Sequence, residues 1–528
     1  MDATLGGKLA FFIGVAIALA LPLAWALLAL YGRALARGMI AQTSGGAPTP
    51  LPAAPPRDKP WAAATYLAAE HRLHSRLFRI LAISAMIPAL ALAVTDLVLS
   101  GEELRVTAFL AYAASVGSLL IPMMKVYLGW SLRRGLAYFF IYLLACSVAL
   151  VAWPMVRDLV LHGKFDLTLI NNARWFLQFL LLSTWLPLLL MSITGLPRLR
   201  TVIPVSLSLA LGITVGPALA LEWVQLVLAG GPGEGLLVHL GLSGTLLLGL
   251  AAGGLLAFGL LRLIAARYQQ KRFSDLQLLT DIWWLLVVLA GFAQLVAVYG
   301  HAWLPPLAGA VFILYRTTVG WGFAHFPPPD DLPPNRRLLL LRVFGDSPRS
   351  ERLFDSLIQR WRYIGSVKLI AAPDLAARMI DPEDLLRFVQ RRLGEGFIGD
   401  AGELATRLRT VDEARDPDGR FRVSEFYCRD KAWQDTLHAL LERSDVILMD
   451  LRGFCQSRVG CAYELEALAR RNLLPRTVLL VDASTDQPLV TRILAGALVK
   501  HVESEALAKN ADALFRALLP PIQAPPPP

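Results

Sequence analysis

Residues 445–465, DVILMDLRGFCQSRVGCAYEL, bring one carboxylate, Glu464, to a place where a fold can use it. Val446 to Met449 read as a buried strand that ends in Asp450, a polar turn with Arg452 and Gly453 follows, and a helix is predicted to open near Val459. In open α/β sheets ligands bind beyond the carboxyl ends of the strands, so an acid in the first turns of the next helix stands where chemistry is done. A glutamate there is also favoured by the helix dipole alone, by about 0.3–1 kcal/mol, so its position is compatible with a purely structural role.

The surrounding segments alternate between strand and helix patterns. LLLLRVF (338–344) is an apolar run bounded by Gly345, and 350–364 is an amphipathic helix with Leu353, Leu357, Ile358 and Trp361 on one side. SVKLIAAPD is a second strand, and Asp381 caps a helix that begins with Pro382. Residues 394–426 read as an irregular insertion or a short extra helix-strand unit. A helix from Asp430 to Arg443 leads into DVILMD, and TVLLVD (477–482), a short helix, LVKHVE and SEALAKNADALFRALL complete the domain. This alternation predicts a parallel sheet covered on both faces. The Pro-rich segment 326–337 bounds the domain (338–518) on one side, and a Pro-rich tail, 519–528, predicted to be disordered, bounds it on the other.

Ahead of it lies a region of a different kind. The chain has 528 residues, 55% hydrophobic and 17% charged, too apolar for an ordinary water-soluble globule. Residues 1–325 are predicted to be an all-α polytopic transmembrane bundle of about nine helices. Spans are expected at 9–31, 78–100, 107–129, 136–156, 174–195, 202–229, 236–265, 281–299 and 302–320. The last is the weakest, since it contains Pro305, Pro306 and Arg316, and without it the count is eight. The first lacks a cleavage site and reads as an uncleaved helix. Arg and Lys gather after the odd-numbered spans, which under the positive-inside rule puts the carboxyl-terminal domain in the cytoplasm and the amino terminus outside. The net charge of +10 then reflects topology, not a nucleic-acid footprint. Segment 43–60, rich in Pro, Ala and Gly, is expected to be a flexible loop. Asp96, Lys125, Glu222, His239 and Arg316 fall toward span ends, where an interfacial position accounts for them. The Gly-rich segments LAGGPGEG and LGLAAGGLLAFG suit close helix packing. Four cysteines, at 146, 428, 455 and 461, form no CxxC pair, so reduced thiols and no metal site are expected.

The run of strand, D-L-R-G-F, a few polar residues and G-C-A-Y-E-L resembles the third conserved region of the TIR domain, which runs strand, S-x-N-F, S-x-W-C-x-x-E-L. Cys461 and Glu464 match its Cys and Glu at the same spacing, and Phe454 matches its Phe. RVFGDSPRSERLFDSL resembles the TIR opening, with Asp346 as the acidic counterpart. The resemblance covers most of 338–518 and none of the membrane half. It departs where Gly460 replaces the motif Trp and where Phe344 and Gly345 replace the opening S-Y-S.

The resemblance implies a flavodoxin-like, TIR-like sheet and, as in many bacterial TIR domains, hydrolysis of NAD between nicotinamide and ribose, with NAD as substrate and no cofactor. Breaking an N-glycosidic bond develops oxocarbenium character on the ribose, which a carboxylate stabilises or captures. Glu464 is the candidate catalytic residue. Gly345 and Asp346 are candidates to approach the nucleotide, Arg452 to grip a phosphate, and Phe454, or Trp433, to stack on a base. The protein so read is a signalling or defence protein of the bacterial inner membrane. Its partners are the lipid bilayer, the nucleotide and other copies of its own cytoplasmic domain, and not nucleic acid. Two rival readings stand beside it: a non-catalytic TIR-like interaction module, and a transporter or receptor regulated by its α/β domain. A deoxyribosyltransferase-like reaction on another nucleoside also stays open.

Overall fold

Apolar runs fold as helices because only a helix satisfies every backbone group within one segment. In the computed structural model, which describes residues 3–40, 50–56, 61–100, 106–162, 185–194, 196–342, 348–371, 382–429, 432–497, 499–503 and 512–519, nine such helices precede the first strand. They are α1 (Ala3–Ile40), α2 (Ala63–Ser100), α3 (Val106–Tyr127), α4 (Leu132–His162), α5 (Trp185–Thr194), α6 (Pro197–Leu228), α7 (Glu234–Gln269), α8 (Asp275–Tyr299) and α9 (Leu304–His325). Among the described residues seven of them, all but α3 and α5, are long and apolar enough to cross a membrane. The segment weakest by sequence forms a full helix: Pro305 and Pro306 lie in the first turn of α9, where the amide hydrogens they lack would have no acceptor anyway.

The chain divides into two compact units, Met1–Leu27 with His74–Ala266 and Ser274–Pro327, and Leu28–Leu73 with Arg267–Phe273 and Pro328–Pro528. The division differs from the expected one, in which everything up to residue 325 belonged to one domain. The second unit takes in the last part of α1, the first part of α2 and the turn between α7 and α8. Polar contacts inside that unit explain why. Tyr31 and Tyr427 share a hydrogen bond of 3.2 Å, Arg360 grips Glu70 at 2.7 Å, and Arg422 donates to the carbonyl of Tyr268 at 2.7 Å.

Within the helical unit α6 and α7 meet through glycine. A Cβ on Gly216 would lie 2.0 Å from the Gly249 carbonyl oxygen, and one on Gly253 2.1 Å from that of Gly212, so no other residue fits without moving backbone. Helix α8 is buried on most of its surface, with Trp284, Val288 and Val296 fully enclosed. Arg316 pairs at 3.0 Å with Asp281, a buried acid which the sequence places at the very start of its span. Asp96 accepts from the Tyr299 hydroxyl at 2.8 Å, and Glu222 pairs with Lys8 at 2.9 Å.

The second unit is built on a seven-stranded, wholly parallel sheet of β1 (Leu338–Arg342), β2 (Val367–Ala371), β3 (Phe397–Ile398), β4 (Val423–Cys428), β5 (Val446–Asp450), β6 (Thr477–Val481) and β7 (Lys500–Glu503). Its order is β3-β4-β2-β1-β5-β6-β7. The region 394–426, read from sequence as an irregular insertion or a short extra helix-strand unit, takes the second form and supplies β3, a helix α12 (Ala401–Thr410) capped by Asp400, and the start of β4. The connecting helices described are α10 (Pro348–Trp361), α11 (Pro382–Val389), α13 (Ala432–Glu442), α14 (Val459–Arg470), α15 (Gln487–Ile493) and α16 (Asp512–Leu518). Strands β5 and β6 are buried along their whole length, as expected of central parallel strands covered on both faces. From β1 the chain steps outward to β2, skips to β3 at the edge, turns back to β4 between β3 and β2, and then crosses to the other side of β1 as β5. The sheet therefore changes direction between β1 and β5, in register from Leu338 opposite Val446 to Arg342 opposite Asp450. At such a switch point the connections part and leave a crevice beyond the strand ends.

Candidate active site

The carboxyl end of β5 carries Asp450, and two residues on stands Arg452. The Arg452 guanidinium donates to both oxygens of Asp450, at 2.8 and 2.9 Å, while its own backbone amide donates to Oδ1 at 3.2 Å. Gly453 follows at φ +73°, a left-handed conformation that glycine adopts without steric penalty. The turn is fixed to the loop after β6: the Thr485 hydroxyl donates to the Leu451 carbonyl at 2.9 Å, Gly453 N–H to the Ser484 hydroxyl at 2.9 Å, and Asp486 N–H to the Phe454 carbonyl at 3.0 Å.

Helix α14 starts five residues beyond Phe454 and lays Cys461, Glu464, Leu465 and Leu468 along its buried stripe, at helical spacing. Glu464 is thus turned inward among apolar neighbours, with 7% of its surface exposed. Among the described residues its Oε2 atom has no hydrogen-bond partner. Burial alone pushes its carboxyl up to about 8, because nothing replaces the water a charged form would lose. Cys461, one turn earlier, is pushed up to about 12, by burial first and by the adjacent Glu464 second. At neutral pH Glu464 is therefore mostly a neutral acid held in an apolar setting. A cation brought against it would favour the ionised form that burial disfavours.

The other residues singled out by sequence divide. Gly345 and Asp346 lie outside the described residues, as do Phe344 and Asp381. Arg452 stands beside the site, but its fork is taken by Asp450, and the pair is largely enclosed, with side-chain exposures of 11% and 5%. Phe454, singled out to stack on a base, is fully buried in the core with Leu451 and Leu465, just after the left-handed turn at Gly453. Trp433 packs edge-on against Tyr463, with ring centres 5.3 Å apart.

Sequence reasoning passed over a second group of buried polar side chains at the end of β4. The Tyr427 hydroxyl donates to Glu425 at 2.8 Å, and Arg387 reaches Asp384, itself wholly buried, at 3.3 Å. Burial raises the Asp384 carboxyl, with Arg407 and Arg387 acting against it. An acid within the apolar run VSEFYC was the available signal.

No family model, no curated protein and no solved structure matches this chain.

Proposed function

We propose that the α/β unit is a TIR-like domain that cleaves the nicotinamide–ribose bond of NAD, on a protein held in the bacterial inner membrane by its apolar helices, with the domain in the cytoplasm. The observation that carries this reading is Glu464, a buried carboxyl with one oxygen that has no hydrogen-bond partner among the described residues, on the helix after the strand where the sheet reverses direction. Native proteins rarely leave such a group unsatisfied, and strongly perturbed acids gather at working sites. The order β2-β1-β5-β6-β7 supports the TIR-like, flavodoxin-like reading, with β4 and β3 as an addition at one edge.

In the reaction the bond from the nicotinamide nitrogen to ribose C1′ breaks, and its electron pair leaves with nicotinamide. Positive charge spreads over C1′ and the ring oxygen, and the Glu464 carboxylate stabilises it in a site of low polarity. A water oxygen then bonds to C1′ and releases one proton, so the products are nicotinamide and ADP-ribose. Self-association of the domain completes the site in this reading.

The test is release of free nicotinamide from NAD by the purified full chain, alone and after clustering with a bivalent antibody against an appended tag. Turnover that disappears in Glu464→Gln supports the proposal. Absence of turnover even in the clustered protein refutes it. The engagement of Arg452 with Asp450, and of Phe454 with the core, favours a second reading, a non-catalytic interaction module, in which Glu464→Gln leaves partner capture intact.

A further inference from the structure

Helices α3 and α4 are joined by a tight turn. Trp130 N–H donates to the Lys125 carbonyl at 3.0 Å across Gly129, which takes φ +62°, and the Ser131 hydroxyl accepts from Arg134 N–H at 3.3 Å. Arg133 and Arg134 stand exposed just past this turn. The Arg134 guanidinium lies 5.6 Å from the centres of both the Trp130 and the Tyr138 rings, which are themselves 4.8 Å apart, so two aromatic side chains hold the cation in place. Among the described residues neither arginine has a carboxylate partner, and the patch carries two positive charges that no described acid offsets.

Farther along α4 the surface changes character. Ile141, Ala145 and Val148 follow Arg134 and Tyr138 at helical spacing, all of them exposed, and form an apolar stripe on the same side of the helix. From Arg134 to Val148 it runs for roughly 21 Å at 1.5 Å per residue, enough to cross the roughly 15 Å of hydrocarbon in one leaflet. A pair of cations at one end, two rings of the kind that settle at headgroup level, and an apolar stripe of leaflet length match a molecule with an anionic head and a long apolar tail. A free anion would meet the charges alone. We propose that the α3–α4 turn binds the phosphate head of an anionic glycerophospholipid through Arg133 and Arg134, with an acyl chain laid along Ile141, Ala145 and Val148. The inference rests on these helices lying in a bilayer, with the turn on the cytoplasmic side, where the positive-inside rule puts it and anionic lipids gather, and is independent of any chemistry at Glu464.

The experiment uses the full chain, first checked for recovery in the membrane fraction, then delipidated in detergent and offered equal amounts of dioleoyl-phosphatidylglycerol and dioleoyl-phosphatidylcholine, which share their acyl chains and differ in net charge. Native mass spectrometry counts the lipids that remain bound. One phosphatidylglycerol per chain is expected, retained about thirtyfold better than phosphatidylcholine, the ratio that corresponds to about 2 kcal/mol from two cations at an anionic surface. Arg133→Gln together with Arg134→Gln should bring the preference near parity. Arg79→Gln together with Arg262→Gln, which removes the same charge from exposed positions on α2 and α7, should leave it intact. Neither inorganic phosphate nor dihexanoyl-phosphatidylglycerol, at the same concentration, should displace the long-chain lipid. A chain that is not membrane-bound overturns the membrane reading and the proposal together. In a membrane-bound chain, four results overturn the proposal alone: no lipid retained, equal retention of the two lipids, a preference that survives the first pair of substitutions or falls as far with the second, and displacement by either competitor.

Discussion

Replacing Glu464 by Gln should stabilise the sheet in a manner that depends on pH. The folded carboxyl titrates at about 8, against 4.5 for the ordinary group. Between those values the folded chain keeps a proton that the unfolded chain has released, so stability falls as pH rises from about 4.5 and the loss levels off above about 8. Each unit is worth about 1.36 kcal/mol, so at pH 7 the wild-type carboxyl subtracts roughly 3 kcal/mol. Glutamine has no proton to lose and escapes this penalty. The two proteins should therefore be nearly equal at pH 4.5 and diverge steadily up to pH 8, with the variant the more stable. Amide hydrogen exchange of β5 and β6 in the full chain measures this locally, since those strands open only when the sheet does. A difference that does not change with pH, or a variant less protected at every pH, would show that Glu464 is ionised and paired, and would refute the account of the site.

If the ionised carboxylate stabilises the sugar cation, nicotinamide release should increase as pH rises through about 8, and a rate that falls over that range would assign Glu464 the role of an acid instead. Arg316→Met removes the partner of buried Asp281 and should destabilise the helical unit by about 3–5 kcal/mol. Much of that loss should return in the double variant with Asp281→Asn, as read by thermal unfolding in detergent; a double variant as unstable as the single would place the fault elsewhere. Gly216→Leu should separate α6 from α7 and sharply lower the yield of folded protein, whereas Gly254→Leu, with nothing within 4 Å, should be tolerated. Equal yields from the two would deny that the contact at Gly249 holds the helices together.

Much of the architecture was legible from local pattern. Continuous apolar runs such as VILMD and TVLLV marked the central strands, because burial on both faces leaves no polar alternation to misread. The predicted spans fall on helices for a similar reason wherever they are described, though residues 174–184 of the span 174–195 lie outside the described residues, and the span doubted for its prolines is continuous because a proline in the first turn removes no hydrogen bond. The short strand β3, with only Phe397 and Ile398, gave too brief a pattern to stand out from the surrounding Gly and Asp. At the site, the strand-turn-helix pattern was enough to put Glu464 in the first turns of its helix, but not to say that it faces inward with one oxygen unpartnered among the described residues. The placements of Arg452 and Phe454 go with local backbone geometry, a salt bridge to a residue two positions away and a left-handed turn at Gly453, and neither follows from residue type. The partition of the chain was equally hidden, since contacts such as Arg360 with Glu70 join residues 290 positions apart.

The hydrogen bonds joining the turn at 451–454 to residues 484–486 make two distant stretches of sequence one mechanical piece. Helix α14 hangs from that piece, so the acid it carries cannot be displaced without also disturbing the end of β6. Changes at Ser484 or Thr485, far downstream in the chain, should therefore be felt at Glu464, and a binding partner that grips the β6 loop would hold a lever on the carboxyl without touching it.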